Sequence, residues 1–378
     1  MARTGENIYR RKDGRWEGRF IYSYGENGKA KYKYVYARTY SEVKAKIIQE
    51  QHGENMALHC SNSTQKIKYE YWLNEWLSLK KLKIKESTYI RYRNSIQNHI
   101  NPQLGKYPIE KISTALMESF ISHLATNGNL NGNGGLSSKT ISDILVIVKE
   151  SFRYAQAHGI VIICNFDNIG VKKVSHEMRV LNCTETQRLI QELLKETDLC
   201  KIGVFISLFT GIRIGELCAL QWKNISIADR TIKIEQTMQR LQSNNPNDIR
   251  KTRIIITEPK SFASVRIIPL PEFVVDVIKP YQKNAGAYLL SGEAKRYVEP
   301  RTMQNRFKGY LLASNIEDAN FHSLRHTFAT RCIEAGFDVK TLSEILGHSS
   351  VKITLDKYVH SSIELKRMNM EKLQLTLA

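Results

Sequence analysis

The chain has 378 residues, of which 42% are hydrophobic and 25% are charged. This composition is that of a folded protein with two or three domains, which excludes a wholly disordered or collagen-like chain. The richest apolar stretches, 160–163 and 204–209, are far shorter than the roughly 20 residues of a membrane helix. The N-terminus lacks the apolar segment of a signal peptide, so we expect a cytoplasmic protein without a membrane partner.

The charge balance is strongly basic: 56 Lys and Arg residues against 37 Asp and Glu residues give a net charge of +19. Such an excess predicts a polyanionic partner, most often nucleic acid, although a merely basic and soluble surface is the alternative. The six cysteines are scattered and form no C-x-x-C pair, which argues against a zinc ribbon or a redox motif.

The first 52 residues are typical of a small module with a three-stranded sheet and one helix. Strand-like segments lie at 7–11, 16–22 and 31–37, and Ser41 is predicted to cap a helix that ends near residue 51. The strands carry aromatic side chains beside basic ones, which are Arg15, Arg19, Lys31 and Lys33. Such a sheet suits insertion into a DNA groove, and a solvated face with a minimal aromatic core is the alternative.

Residues 66–164, which follow a linker, predict a helical domain. Tyr71, Trp72, Trp76 and Leu79 fall at helical spacing. Ser87 is predicted to cap a helix from Thr88 to about Ile100 that Pro102 closes, and further helices begin near residues 113 and 137. The first half is basic, and its candidate DNA contacts are Lys81, Lys83, Lys85, Arg91 and Arg93. A solvated helix face is the alternative reading of this charge.

Residues 175–378 predict a mixed, mostly helical domain, with strand-like alternation only at 231–236, 253–258 and 265–270. The whole chain is therefore expected to be multidomain and mainly α, with small β-sheets.

Several residues of this last domain can act together on a phosphodiester. Small residues flank Arg213, and His322 lies three positions before Arg325, so both would share one helix face. Two guanidinium groups can bind the non-bridging oxygens, and histidine can accept a proton near neutral pH. Tyr358 can be a covalent nucleophile if a base takes its proton. Lys260, expected at the tip of the strand pair around it, could protonate the leaving 5′ oxygen.

These motifs resemble the tyrosine recombinase, or phage integrase, family. Its three conserved boxes correspond to TGIRIGE at 210–216, HSLRH at 322–326, and LGHSS at 346–350 followed by Tyr358. Lys260 stands where the family has its β-hairpin lysine. The resemblance implies a helical core-binding domain at 66–164 and a catalytic domain at 175–378 with a C-terminal exchange tail. Residues 1–52 resemble the arm-binding domain of integrases from conjugative transposons.

The resemblance implies six catalytic residues: Arg213, Lys260, His322, Arg325, His348 and Tyr358. The arginines would clamp the scissile phosphate, and Tyr358 would attack it to give a 3′-phosphotyrosyl bond. His322 would act as acid or base, His348 would hydrogen-bond the phosphate, and Lys260 would protonate the 5′ oxygen. Glu216 and His326 would support these side chains without reacting.

The implied function is site-specific recombination that integrates and excises a mobile element. The expected partners are duplex DNA with core and arm sites, further copies of the chain in a tetramer, and an excision factor. No carboxylate cluster or His/Cys set suggests a metal site, and strand exchange conserves bond energy, so no cofactor is expected. The alternatives are a type IB-like topoisomerase, a non-catalytic architectural DNA-binding protein and, disfavoured by the same lack of metal ligands, a metal-dependent transposase or nuclease.

Overall fold

The computed structural model describes residues 7–24, 30–47, 67–132, 134–172, 178–243, 251–259 and 262–358, together with positions 367 and 370. The chain divides into two compact units, residues 1–174 and 175–378. Within the described ranges, no helix is long and apolar enough to span a bilayer.

The first unit begins with an antiparallel sheet of β1 (Ile8–Arg10), β2 (Trp16–Tyr24) and β3 (Ala30–Ala37), followed by helix α1, described over 40–47. Its small core contains Phe20, Val35 and Val43. The predicted sheet and helix are confirmed, but the predicted cap is wrong. The hydroxyl of Thr39 accepts a hydrogen bond from the backbone N–H of Glu42 at 3.3 Å, so the helix begins before Ser41.

A second core in this unit is built from helices. They are α2 (Tyr69–Lys81), α3 (Glu86–Ser95) with a π-helical continuation (Ile96–Gly105), α4 (Thr114–Asn127) and α5 (Ser138–Ala157). Helices α4 and α5 begin at the side-chain caps Ser113 and Ser137. Tyr71 and Leu79, which the spacing placed inward, are 41% and 48% exposed, because the buried stripe of α2 follows Tyr69 and Leu73 instead.

The predicted boundaries of α3 are wrong at both ends. The helix starts after Lys85, and the hydroxyl of Ser87 is buried without a hydrogen-bond partner. At the other end the chain stays helical through Pro102 to Gly105. A π-helical turn shifts the carbonyl that an α-helix would press against the proline ring, and Ile100 anchors this segment in the core.

The second unit is mainly helical, with two small sheets. Its helices are α6 (Cys183–Leu194), α7 (Leu199–Thr210), α8 (Ile214–Ala219), α9 (Glu272–Ile278), α10 (Pro300–Ala313), α11 (Phe321–Glu334), α12 (Val339–Leu346) and α13 (Val351–Tyr358). Its strands are β4 (Ile225–Ser226), β5 (Thr231–Ile234), β6 (Thr237–Gln242), β7 (Thr252–Thr257) and β8 (Arg266–Pro269). The fold class expected from the sequence is confirmed.

Strand pairing in this unit differs from the prediction. Strands β4, β5 and β8 form one antiparallel sheet, whereas β6 and β7 form a separate hairpin in which Thr237 pairs with Thr257. The sequence pattern missed β4 and β6. Strands β7 and β8, which precede and follow Lys260 in the chain, do not pair with each other as predicted. Alternation of side chains identifies a strand but does not show which strand it pairs with.

The core of the second unit surrounds α7, in which most side chains are buried and which packs against α11. The helix ends at Gly211, whose φ of 64° is in the left-handed region that glycine favours. A Cβ at this position would lie 2.6 Å from Cδ1 of Phe328. This tight turn directs the chain into Arg213 and the start of α8.

Candidate active site

Arg213 is fixed at the first turn of α8 by one acidic side chain. The carboxylate of Glu216 accepts hydrogen bonds from the backbone N–H of Arg213 at 2.9 Å and from its Nη1 at 2.8 Å. Nη2 donates to the carbonyl of Gly347 at 3.2 Å. The side chain of Arg213 remains 36% exposed, so it is held in place while its outer face can reach a ligand.

Glu216 is buried and binds a second arginine, Arg266 on β8. Nη2 and Nη1 of Arg266 lie 2.9 and 3.2 Å from the two carboxylate oxygens. Burial raises the pKa of Glu216, but the hydrogen bonds and positive charge of Arg266, joined by Arg213, outweigh this effect and lower it overall. Glu216 is thus ionised and links the half-buried Arg213 to the buried Arg266.

Arg325 is almost completely buried on α11, with 2% of the residue exposed. Its Nη1 donates to the carbonyl of Gly211 at 2.9 Å, and its Nη2 donates to the carbonyl of Leu346 at 2.6 Å. Burial, followed by the nearby charge of Arg213, lowers the pKa of Arg325 to about 9, so the guanidinium remains charged at neutral pH.

The three arginines meet at the C-terminal end of α12. Arg266, Arg325 and Arg213 donate to the consecutive carbonyls of residues 345, 346 and 347. The last carbonyls of a helix have no partner within the helix and carry partial negative charge, so cations are stabilised there. The end of α12 therefore binds all three guanidinium groups through the carbonyls of the residues that precede His348 in the chain.

Tyr358 is the last residue of α13 and is 6% exposed. Its phenol oxygen lies 2.9 Å from Nδ1 of His326, and its ring stacks on that of His348 with an interplanar angle of 4° and centroids 6.3 Å apart. The Nδ1 of His348 lies 2.8 Å from the hydroxyl of Thr354. Burial raises the pKa of Tyr358, and the charge of Arg325 partly opposes this shift.

His322 occupies the first turn of α11, which Asn320 caps. Its ring meets that of His326 edge to face, with centroids 4.5 Å apart. Burial is the largest cause of the lowered histidine pKa values, which are about 4 for His322 and His326 and about 3 for His348, and nearby cations add to it. At neutral pH all three rings are uncharged and can accept protons.

A cavity of about 280 Å³ lies beside these groups. Arg213 and His322 line one part of it, and Arg301, Gln304 and Lys308 of α10 line another. The lining is rich in positive charge, which suits an anionic ligand such as a phosphodiester.

Five of the six predicted catalytic side chains thus converge in the second unit, and Lys260 lies outside the described residues. The sequence analysis missed Arg266 and the contact between His326 and Tyr358. The alternation along β8 between buried and exposed side chains puts Arg266 at a buried position. An arginine at such a position could have indicated from the sequence that it has a buried partner. Within the described part of the chain, no three His, Cys, Asp or Glu side chains are grouped to hold a metal.

The candidate DNA contacts of the N-terminal sheet lie on different faces. Arg19 stacks over Tyr32 at 5.1 Å on the face opposite the small core. Lys33 pairs across the strands with Phe20 and so belongs to the core-bearing face, whereas Lys31 is exposed opposite Ser23. In the β1–β2 turn, Nη2 of Arg15 lies 2.8 Å from a carboxylate oxygen of Asp13.

The candidate DNA contacts of the helical region surround the connection between α2 and α3. The side chains of Lys81, Lys83, Lys85 and Arg91 are exposed, and that of Arg93 is half-buried. Lys81 lies 5.6 Å from the ring centre of Tyr89, and Nη1 of Arg91 lies 3.7 Å from a carboxylate oxygen of Asp143. This region therefore carries exposed positive charge on a helical framework.

Known protein families and individual proteins are similar to this chain. The phage integrase family pattern matches residues 179–364, and the N-terminal SAM-like domain of phage integrases matches residues 68–125. A XerC-like tyrosine recombinase of Caldanaerobacter subterraneus subsp. tengcongensis is 27% identical over 360 residues, which cover 89% of each chain.

Two solved structures show the same fold. The Tn1549 transposon integrase in complex with circular intermediate DNA matches with a TM-score of 0.66 and 21% identity, covering 81% of this chain and 99% of that one. The lambda integrase tetramer bound to a Holliday junction matches with a TM-score of 0.55 and 18% identity, covering 95% of this chain and 98% of that one.

The family matches, the relatives and the shared fold define the class as a tyrosine recombinase, an enzyme that transfers DNA strands. The chain belongs to the phage integrase family, which confirms the resemblance seen in its sequence motifs.

Proposed function

We propose that this recombinase is an integrase that integrates and excises a mobile DNA element through a 3′-phosphotyrosyl intermediate. The observation that carries the proposal is the buried phenol of Tyr358 beside Arg325, with His326 at hydrogen-bond distance. A nucleophile, a phosphate clamp and proton acceptors are the parts that a phosphoryl transfer needs.

The two proposed clamp residues have donors to spare. A guanidinium has five N–H groups, and Arg213 and Arg325 each donate two to the carboxylate or carbonyl groups described above, while a further one of Arg325 reaches the phenol of Tyr358. The remaining donors can bind the non-bridging oxygens of the scissile phosphate and stabilise the charge that develops in the transition state. Their own protein contacts fix both groups before DNA binds, which reduces the cost of reorganisation.

The proposed reaction exchanges one phosphodiester for another. Tyr358 attacks phosphorus, the 5′ oxygen leaves, and Lys260 is the proposed donor of its proton. His348 would hydrogen-bond the phosphate, and His322 would act as an acid or base beside the cavity. Because the phosphotyrosine conserves the bond energy, a new 5′ hydroxyl can reverse the attack without ATP.

The proposed DNA contacts divide among the predicted domains. Residues 1–52 would bind arm sites, 66–164 would bind core sites together with the catalytic domain, and the segment after Tyr358 would link subunits. The lambda integrase structure is a tetramer bound to a Holliday junction, which supports a tetramer as the assembly proposed for this chain. The nucleoid is the expected location, and an excision factor is a further expected partner.

The proposal is tested by trapping the covalent intermediate. Purified protein is incubated in EDTA with suicide substrates from candidate element ends, and adducts are resolved on denaturing gels. Wild type is expected to form the adduct, whereas Tyr358→Phe should bind DNA equally well and form none. Tyr310→Phe is the matched control, since it removes a phenol oxygen elsewhere in the same unit. Absence of a wild-type adduct, or an adduct with Tyr358→Phe, would overturn the proposal.

A further inference from the structure

The hydrogen bond between Tyr358 and His326 assigns a role to a histidine outside the six predicted catalytic residues. We propose that His326 accepts the phenolic proton of Tyr358 as its oxygen attacks phosphorus. This inference rests on the proposed function, because it takes Tyr358 as the nucleophile.

The geometry favours His326 over the other two histidines of the site. Its Nδ1 lies 2.9 Å from the phenol oxygen, within the range that direct proton transfer requires. The Nδ1 of His348 is engaged by Thr354, and the ring of that histidine lies parallel to the ring of Tyr358. His322 lines the cavity and meets the His326 ring edge to face.

Helix α11 positions His326 through its neighbour. Arg325 donates to the carbonyls of Gly211 and Leu346, and both bonds are buried. These bonds fix the rotation of α11 about its axis, so the next side chain faces the end of α13, where Tyr358 lies. Because α11 and α13 pack against each other, the acceptor and the phenol are held together before DNA binds.

Burial and the charges around His326 keep its ring unprotonated before attack. Burial, then the positive charges of Lys357 on α13 and Arg325 on α11, lower the pKa of His326 to about 4, and His322 faces it from the same helix. The ring is therefore neutral at physiological pH, and Nδ1 can accept while Nε2 carries the proton. A bound phosphodiester adds negative charge that offsets these cations and stabilises the imidazolium formed during attack.

The step balances without a further reactant. A bond forms between the phenol oxygen of Tyr358 and phosphorus, and the proton of the phenol moves to Nδ1 of His326. The bond from phosphorus to the 5′ oxygen breaks, and that oxygen takes its proton from the acid of the proposed reaction. On religation the new 5′ hydroxyl gives its proton to the conjugate base of that acid as it attacks, and the imidazolium returns its proton to the departing phenol.

The pH dependence of adduct formation distinguishes proton transfer from support alone. In His326→Asn, the amide oxygen can accept the hydrogen bond near the position of Nδ1 but cannot take the proton. Adduct formation on a suicide substrate should then slow about 10²–10⁴-fold at pH 7, the usual contribution of a general base. Attack should require a preformed phenolate, so the deficit relative to wild type should shrink about tenfold per pH unit between pH 6 and 9.

His322→Asn is the matched control, since it makes the same change one helical turn earlier. Because His326 is intact in this variant and still takes the phenolic proton, the deficit should not shrink tenfold per pH unit. If His326→Asn folds poorly, His326→Gln takes its place and should show the pH profile expected for His326→Asn. Each variant is checked for folding by circular dichroism and for DNA binding.

The possible failures are distinguishable. A wild-type adduct on Tyr358, together with a pH-independent deficit in both His326 variants, would overturn the role of His326 and leave the proposed function intact. If the deficit shrinks with rising pH in His322→Asn and not in the His326 variants, His322 is the residue that takes the phenolic proton. A wild type without any adduct, or with one on another residue, would overturn the proposed function and this inference together.

Discussion

Arg266 and Glu216 face each other in a buried pair, with Nη2 2.9 Å from Oε2 and Nη1 3.2 Å from Oε1. Their side chains are 5% and 3% exposed. The same carboxylate holds Arg213, which has its outer face free for substrate. Because Arg266 also binds the end of α12, this pair joins β8, α8 and α12 around the site.

Glu216→Gln should therefore reduce both stability and activity. The variant keeps the size of the side chain but leaves a buried guanidinium without its counter-charge, which typically costs about 3–5 kcal/mol of unfolding free energy. Urea unfolding and the suicide-substrate assay measure the two effects. Glu272→Gln is the control, since it removes an exposed partner of Arg230 and should cost at most about 1 kcal/mol. Equal losses in the two variants would contradict the importance of the buried pair.

Arg213→Lys tests the clamp at constant charge. Arg213 binds Glu216 with one terminal nitrogen and Gly347 with the other, and a single ammonium group cannot reproduce both contacts and still bind a phosphate. We expect adduct formation to fall about 10²–10³-fold, the usual cost of losing one oriented donor, with DNA binding nearly unchanged. Arg230→Lys, in an exposed ion pair, should cleave normally. Near-normal cleavage by Arg213→Lys would argue against the clamp.

The sequence predicted much of the site because its parts are local. Helical spacing placed His322 and Arg325 on one face of a helix, which is α11, and the small residues around Arg213 indicated a place where a backbone or ligand can approach closely. These features depend on neighbours within a few positions, so one sequence is enough to read them.

Contacts between distant segments were not predictable in this way. Arg266 lies 50 residues from Glu216, and only the fold shows that they pair. Strand β6 was missed because its sequence, TMQRLQ, mixes polar and apolar residues without a clear period of two. The helix through Pro102 was missed because burial of Ile100 and Leu104 overrides a local signal for termination.

The N-terminal module offers a third prediction. Deleting residues 1–52 should weaken binding to distal arm sites and spare core-site binding, which footprinting can measure. Each lost phosphate contact should lower the salt dependence of arm binding by about 0.9 in logarithmic slope. Arg19→Ala, on the open face with Tyr32, should reproduce part of this loss. An unchanged footprint at every site after the deletion would contradict the arm assignment.

The three active-site histidines predict acid sensitivity of the second unit. Their folded pKa values, about 4 for His322 and His326 and about 3 for His348, lie below the ordinary value near 6.5, chiefly because the rings are buried. At a pH between the folded pKa values and the ordinary value, these histidines bind protons in the unfolded chain but not in the folded chain. Stability should therefore fall as the pH drops from about 6.5 towards 4, and unfolding at pH 5 should take up nearly one proton per histidine.

Calorimetric unfolding between pH 5 and 7 measures this proton uptake from the pH dependence of Tm. His348→Asn should remove nearly one proton from it, because the amide does not titrate, and the variant should lose less of its stability on acidification than wild type. His158→Asn is the control, since this histidine is exposed in the other unit. If the Tm of His348→Asn depends on pH as that of wild type does, burial does not keep the imidazole of His348 neutral. The proposal that an uncharged His348 hydrogen-bonds the phosphate would then be contradicted.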